Sequence, residues 1–136
     1  MTGIEKMFNG VSIVVGSAGG FLCKWLGGWD VFLKALVALV ILDYVTGILK
    51  GIYTKTLSSS IGFKGLIRKI VIFIVIATSV IVQMVVGDAI PLREVTIIFF
   101  LCNEGISLLE NASTFVPIPD KLKETLIQLR EKKTKE

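Results

Sequence analysis

The sequence predicts an all-α integral membrane protein with three to four transmembrane helices and a short amphipathic cytoplasmic C-terminal helix. Three observations carry this reading. Residues 70–86 run for seventeen positions without a charge. At about 1.5 Å per residue that nearly spans the roughly 30 Å hydrocarbon core of a bilayer. Twelve of the seventeen are Ile, Val or Phe. Each is worth about −0.3 to −0.6 kcal/mol at a helix centre, so the segment inserts with about −5 kcal/mol. Finally, 53% hydrophobic residues and a mean hydropathy of +0.77 exceed what a soluble chain of 136 residues has interior to bury.

Four apolar segments follow one another. The first, residues 11–26, is diluted by Gly16, Gly19 and Gly20 and carries Lys24 near its end. It either crosses the membrane or lies in the outer interface. Ser12, Gly16 and Gly20 recur every four residues, and such a stripe lets helix backbones approach closely in lipid without naming the partner. The second segment, 31–49, is strongly apolar but holds Lys34 and Asp43. The third is 70–86. The fourth, 95–109, is short and has Asn103 and Glu104 near its middle. The chain thus reads as one membrane domain: an N-terminal apolar helix (1–28, spanning or interfacial), a three-helix transmembrane core (29–111) and a basic tail (112–136).

Charge placement sets the expected orientation. Lys50, Lys55, Lys64, Arg68 and Lys69 fill the loop between segments two and three with no acid among them. Lys121, Lys123, Arg130, Lys132, Lys133 and Lys135 crowd the tail. Both regions are expected on the cytoplasmic side of the membrane. Segments three and four then form a hairpin with an outer turn at 87–93, containing Asp88 and Pro91. Residues 27–30 are external, with Trp25 and Trp29 as interfacial anchors. Met1 lies inside if the first segment crosses and outside if it does not. The net charge of +4 therefore reports topology and contact with anionic lipid, and no nucleic-acid partner is expected.

Several activities find no residues to carry them. Histidine is absent, which removes the commonest general base and metal ligand. Cys23 and Cys102 lie inside apolar segments as small hydrophobes, and no metal site or cofactor is expected. Residues 16–20 (Gly-Ser-Ala-Gly-Gly) lack the Lys-Ser/Thr ending of a phosphate-binding loop. No nucleophile–base pair is present, so the chain is not expected to be an enzyme. The N-terminus has no secretory-signal form.

Polar residues instead stand where they are costly. A charge at the bilayer centre costs about 2.5–3.5 kcal/mol on the insertion scale. Asp43 shares a helical face with Thr46, Gly47 and Lys50. It either pairs with Lys50 or the basic loop near the cytoplasmic interface, or lines a water-filled path. In segment four, Asn103, Ser107, Glu110 and Asn111 fall at i, i+4, i+7 and i+8, with Glu104 bordering them. That polar stripe makes the segment insert poorly alone. It suits either an aqueous hole formed by several subunits or interhelical hydrogen bonding within one chain. After Asn111, Pro117 and Pro119 end the membrane part and Asp120 reads as an N-cap. Leu122, Leu126, Ile127 and Leu129 then form a modest apolar stripe on a charged helix. That helix is a solvated or lipid-surface tail, or a regulatory or partner-binding one. Residues 57–65 read as a loop whose serines cap the third helix.

Taken in order, Leu42-Asp43-Tyr44-Val45-Thr46-Gly47, then Ser58-Ser59, Gly62, Gly65 and Arg68-Lys69, then Asn103-Glu104, Ser107 and Glu110-Asn111, resemble a known family. With the Pro117-Ile118-Pro119 turn, they are similar to the small phage lysis holins, which include holin-like proteins of clostridial toxin export. The resemblance covers about residues 29–129. It implies a homo-oligomer in the lipid bilayer of the cytoplasmic membrane that opens lesions. An endolysin, or an exported toxin, then leaves without necessary direct contact. Asp43, Asn103, Glu104 and Glu110 are the residues on which that activity would rest. Met1 and Met7 flank Glu5 and Lys6, an arrangement resembling holins that use two starts to make an effector and an inhibitor. A small ion channel or transporter subunit, an antiholin and a passive membrane scaffold stay open as alternatives.

Overall fold

The computed structural model describes residues 2–135, so Met1, its expected position and the first of the two starts lie outside the described residues. Among the described residues there are five α-helices and no strand: α1 (Gly3–Trp25), α2 (Val31–Tyr53), α3 (Ser59–Val86), α4 (Leu92–Ala112) and α5 (Asp120–Lys135). Local sequence starts three of them. Thr2 and Glu5 form a reciprocal capping box at α1. The Asp30 carboxylate accepts from the Leu33 N–H at 3.0 Å to open α2. The Ser58 hydroxyl accepts from the Ile61 N–H at 3.2 Å to open α3. Each cap satisfies a donor that the first helical turn leaves without a partner.

α4 is the centre of the bundle and packs against α2, α3 and α5, whereas α2 and α3 touch each other little. The core is an apolar layer of Leu36, Val40, Ile72, Ile76 and Ile97, with Leu26, Phe73, Phe100 and Leu101 packed around it. The outer surfaces of α2 and α3 are apolar as well: Ile41, Leu42, Val45 and Leu49 on α2, and Ile70, Val71 and Ile74 on α3, are exposed. A bundle apolar both inside and outside is one whose solvent is lipid. α1, α2 and α3 are each long and apolar enough to cross a membrane. α4 carries Arg93, Glu94 and Glu104 and does not meet that composition. Its position explains this, because protein rather than lipid surrounds it.

Several expected boundaries move. α1 begins at Gly3 and α2 runs on to Tyr53. The basic loop expected over 50–69 is mostly helix. Lys50 lies in the last turn of α2, Lys64, Arg68 and Lys69 lie on α3, and only Lys55 stands in the connecting turn, at φ 57°. Serine, glycine and lysine there gave the look of a loop. Instead Gly62 and Gly65 let α3 pass close to Tyr44, whose hydroxyl donates to the Gly62 carbonyl at 3.2 Å. The outer turn is also shorter than expected, since α4 opens at Leu92 and takes Arg93 into its first turn. Asp120 is the first residue of α5 rather than its cap, where its carboxylate still meets the positive end of the helix. The tail itself lies back along α4.

α1 stands apart. None of its described residues is buried, and an added Cβ at Gly16 or Gly20 would meet nothing within 4 Å. Gly47, by contrast, packs within the chain: a Cβ there would lie 3.6 Å from the Asn111 Nδ2. The stripe formed with Ser12 therefore has no helix against it in this chain.

Candidate functional site

Lys69 of α3 reaches into the seam between α2 and α4 and joins two acids. Its Nζ lies 2.5 Å from the Asp43 Oδ2 and 2.5 Å from the Glu104 Oε2. All three side chains are only 10–12% exposed. Asn111, the penultimate residue of α4, completes the group. Its Nδ2 donates to the Asp43 Oδ1 at 3.0 Å and to the Thr46 Oγ1 at 3.3 Å. Two carboxylates share one ammonium, so the cluster carries a net charge of −1 if all three groups are ionised. Removing such charges from water is compensated only when every charged atom finds a partner. Here both Asp43 oxygens and the Glu104 Oε2 are bonded, and no buried side-chain polar atom among the described residues lacks a hydrogen bond.

Beside the cluster lies a cleft of about 270 Å³ lined by Tyr44, Gly47, Gly62, Arg68 and Ser107. The sequence pattern singled out Asp43 and Thr46 on one segment and Glu104, Ser107 and Asn111 on another, and the structure brings the two sets side by side. For the partner of Asp43 it offered Lys50 or the basic loop to which Lys69 belongs, and it named no partner for Glu104. Lys50, on the Asp43 face by spacing, is not the partner; Lys69 is.

The polar stripe of α4 divides into two. Glu104 and Asn111 turn toward α2 and α3. Asn103 and Glu110 turn toward α5: the Arg130 Nη1 donates to the Asn103 Oδ1 at 2.7 Å, and the Lys123 Nζ lies 3.2 Å from the Glu110 Oε1. Gly105 lies between these contacts and makes the approach possible. A Cβ there would stand 3.0 Å from the Leu126 Cδ1 of α5 and 3.7 Å from the Leu39 Cδ1 of α2. Half the stripe is thus occupied by the chain's own tail.

A second polar layer closes the opposite end of the bundle. Arg93, only 7% exposed, forks onto Asp30 at 2.7 and 3.1 Å. The same guanidinium donates to the carbonyls of Leu26 at 2.5 Å and Gly28 at 3.0 Å. Its backbone N–H donates to the Gln83 side chain at 3.0 Å. This clasp ties the α1–α2 turn to the α3–α4 hairpin. Gly27 is required for it, since φ there is +86° and a Cβ would stand 2.2 Å from the Arg93 Nε. The Arg93 bond holds the Asp30 carboxyl below its ordinary pKa. Sequence reading missed Arg93. The available signal was an arginine opening a span that could face the Gly27-Gly28…Asp30 turn. The two polar layers are about 20 Å apart along α2 at about 1.5 Å per residue, with the apolar core layer between them.

Cys23 and Cys102 are free thiols, and the described residues contain no cluster of metal-ligating side chains. What the arrangement defines is a small helical membrane protein with a buried ion triad at one depth and an arginine clasp at another. The chain belongs to the bacteriophage holin family, whose model matches residues 20–131. That match takes in the clasp, the triad and most of the docked tail, and leaves out most of α1. A Clostridium perfringens protein of 14.9 kDa from the nagH 3′ region is 36% identical over 132 residues, covering 96% of this chain and 100% of its own. A Listeria innocua protein is 38% identical over 114 residues, 84% of this chain and 77% of its own. A probable holin of Bacillus phage phi105 is 31% identical over 96 residues, 70% of this chain and 71% of its own. No solved structure matches the chain. The family is one of membrane proteins and not of enzymes.

Proposed function

We propose that copies of this chain assemble in the bacterial cytoplasmic membrane and open lesions that let a folded protein out. The cargo is a cell-wall-degrading endolysin or, as in toxin-export relatives of the resemblance, a toxin. The basic α2–α3 turn and the charged face of α5 meet cytoplasmic water in this reading, and the Asp30–Arg93 clasp lies on the outer side. Family membership supports it, as does the phage protein named a probable holin.

The observation that carries the reading is the Asp43–Lys69–Glu104 triad. A passive scaffold gains nothing from it, because apolar side chains of similar size hold a bundle at least as well. A protein that must be stable while packed and then meet water has a use for charges that neutralise one another inside each copy. When copies rearrange, the same three groups exchange partners for water. Asp43, Glu104 and Lys69 would then switch from bundle-internal partners to the aqueous side, and the α1 stripe of Ser12, Gly16 and Gly20 would pack between copies.

Induced expression in a bacterium, with membrane potential and release of a co-expressed endolysin followed together, tests this. Abrupt depolarisation with endolysin-dependent lysis is the expected result. Depolarisation without release of folded enzyme would point to a small channel. Loss of neither would point to an antiholin or a scaffold.

A further inference from the structure

We propose that α5 stays docked on α4 within the membrane and that its charged outer face is a water-facing wall of the assembled protein. This rests on the reading of a multi-copy assembly enclosing water. Three observations lead to it.

First, α5 is seated rather than trailing. Leu126 fills the space that Gly105 leaves, Arg130 reaches Asn103, and Lys123 reaches Glu110. Second, the docked stretch runs deep. Asn103 is next to Glu104 of the buried triad and about 13 Å inside the end of α4, at about 1.5 Å per residue. Third, the bundle is two-sided at that depth. On α2, Ile41, Leu42 and Val45 are exposed and suit hydrocarbon. On α5, Lys121, Glu124, Gln128, Glu131, Lys132 and Lys135 are exposed and do not. A face of that charge density cannot lie against lipid tails. A docked α5 therefore requires water on its side of the bundle, while α2 and α3 keep lipid on theirs. Several copies arranged with α5 inward satisfy both demands, and Asn103 and Glu110 then lie behind the wall rather than on it.

The test uses the full chain in bacterial membranes, and two sites at the depth of the triad are compared. Gln128→Cys and Ile41→Cys are placed separately in the Cys23→Ala protein, where buried Cys102 is the unreactive baseline. Inverted membrane vesicles are treated with a membrane-impermeant maleimide. Docking is read independently by an Asn103→Cys/Arg130→Cys pair, in the Cys23→Ala/Cys102→Ala protein, treated with a short bifunctional thiol reagent. The expected result is efficient cross-linking together with labelling of Gln128→Cys at least about ten times faster than that of Ile41→Cys. Absence of the cross-link would overturn the proposal, because α5 would then be undocked. Equal labelling of both sites would overturn it too, by placing that depth outside the bilayer. Shielding of both sites would show α5 covered by protein or lipid, with the same consequence. None of these readouts needs a lesion to form, so failure of the lesion reading is scored separately by release of endolysin.

Discussion

Replacing Lys69 with methionine removes the cation that Asp43 and Glu104 share. Methionine fills most of the lysine stem, so the change isolates the charge. The two carboxylates are then left about 10–12% exposed, facing each other without a counter-ion. Breaking a buried ionic group by removing one partner costs about 3–5 kcal/mol. A chain of 136 residues shifts its melting temperature by about 3.5 °C per kcal/mol, so Lys69→Met should melt about 10–17 °C lower. Thermal unfolding of the purified protein in a mild detergent, followed by circular dichroism, reads this directly. Adding Asp43→Asn and Glu104→Gln should recover most of the loss, because the uncompensated charges are gone and the Asn111 bond to residue 43 can persist. Lys69→Met melting within about 2 °C of the natural chain would refute the burial argument, and so would a triple variant no more stable than the single one.

Other perturbations separate the remaining parts. Gly27→Ala forces a side chain into the Arg93 guanidinium at a positive φ, and about 1–3 kcal/mol of stability should be lost; Gly28→Ala, where the space is open but φ is +107°, should cost less, as compared by the same melts. The lowered pKa of Asp30 gives the clasp a definite pH dependence. Its contribution is full above the unfolded carboxyl value near about 4 and is lost as pH falls through the lower folded value. Protease cleavage in the α1–α2 turn should rise in that acid window, using an acid-active protease, and Arg93→Leu should show high cleavage at every pH. Gly105→Leu fills the space that Leu126 occupies and should release α5, seen as faster proteolysis near Pro117 with α2–α4 intact.

Much of the fold was legible because insertion into lipid depends on local composition. The charge-free run at 70–86, the serine cap before the third helix and the turn opening at Gly87 need no knowledge of distant residues. Asp43 and Glu104 were also visible as ions in apolar segments. The basic loop was one partner open to Asp43, but that Lys69 joins both acids was not visible, because it is 26 and 35 residues away in sequence and its own surroundings read as loop. Serines and glycines that serve as a cap and as close-packing positions in α3 look the same as turn residues in a sequence. Arg93 was hidden for a similar reason, since a charge beside a span ordinarily marks an interface rather than a buried clasp. The docking of α5 depends on one missing side chain at Gly105, which no periodicity reports.

Release from lipid vesicles most directly tests whether the bundle opens wide. The purified natural chain would be reconstituted into vesicles that hold both a small dye and a folded enzyme, and the escape of each followed over time. The account predicts that dye and enzyme leave together, in an abrupt step once enough copies are present. Escape of dye with lasting retention of the enzyme would contradict it.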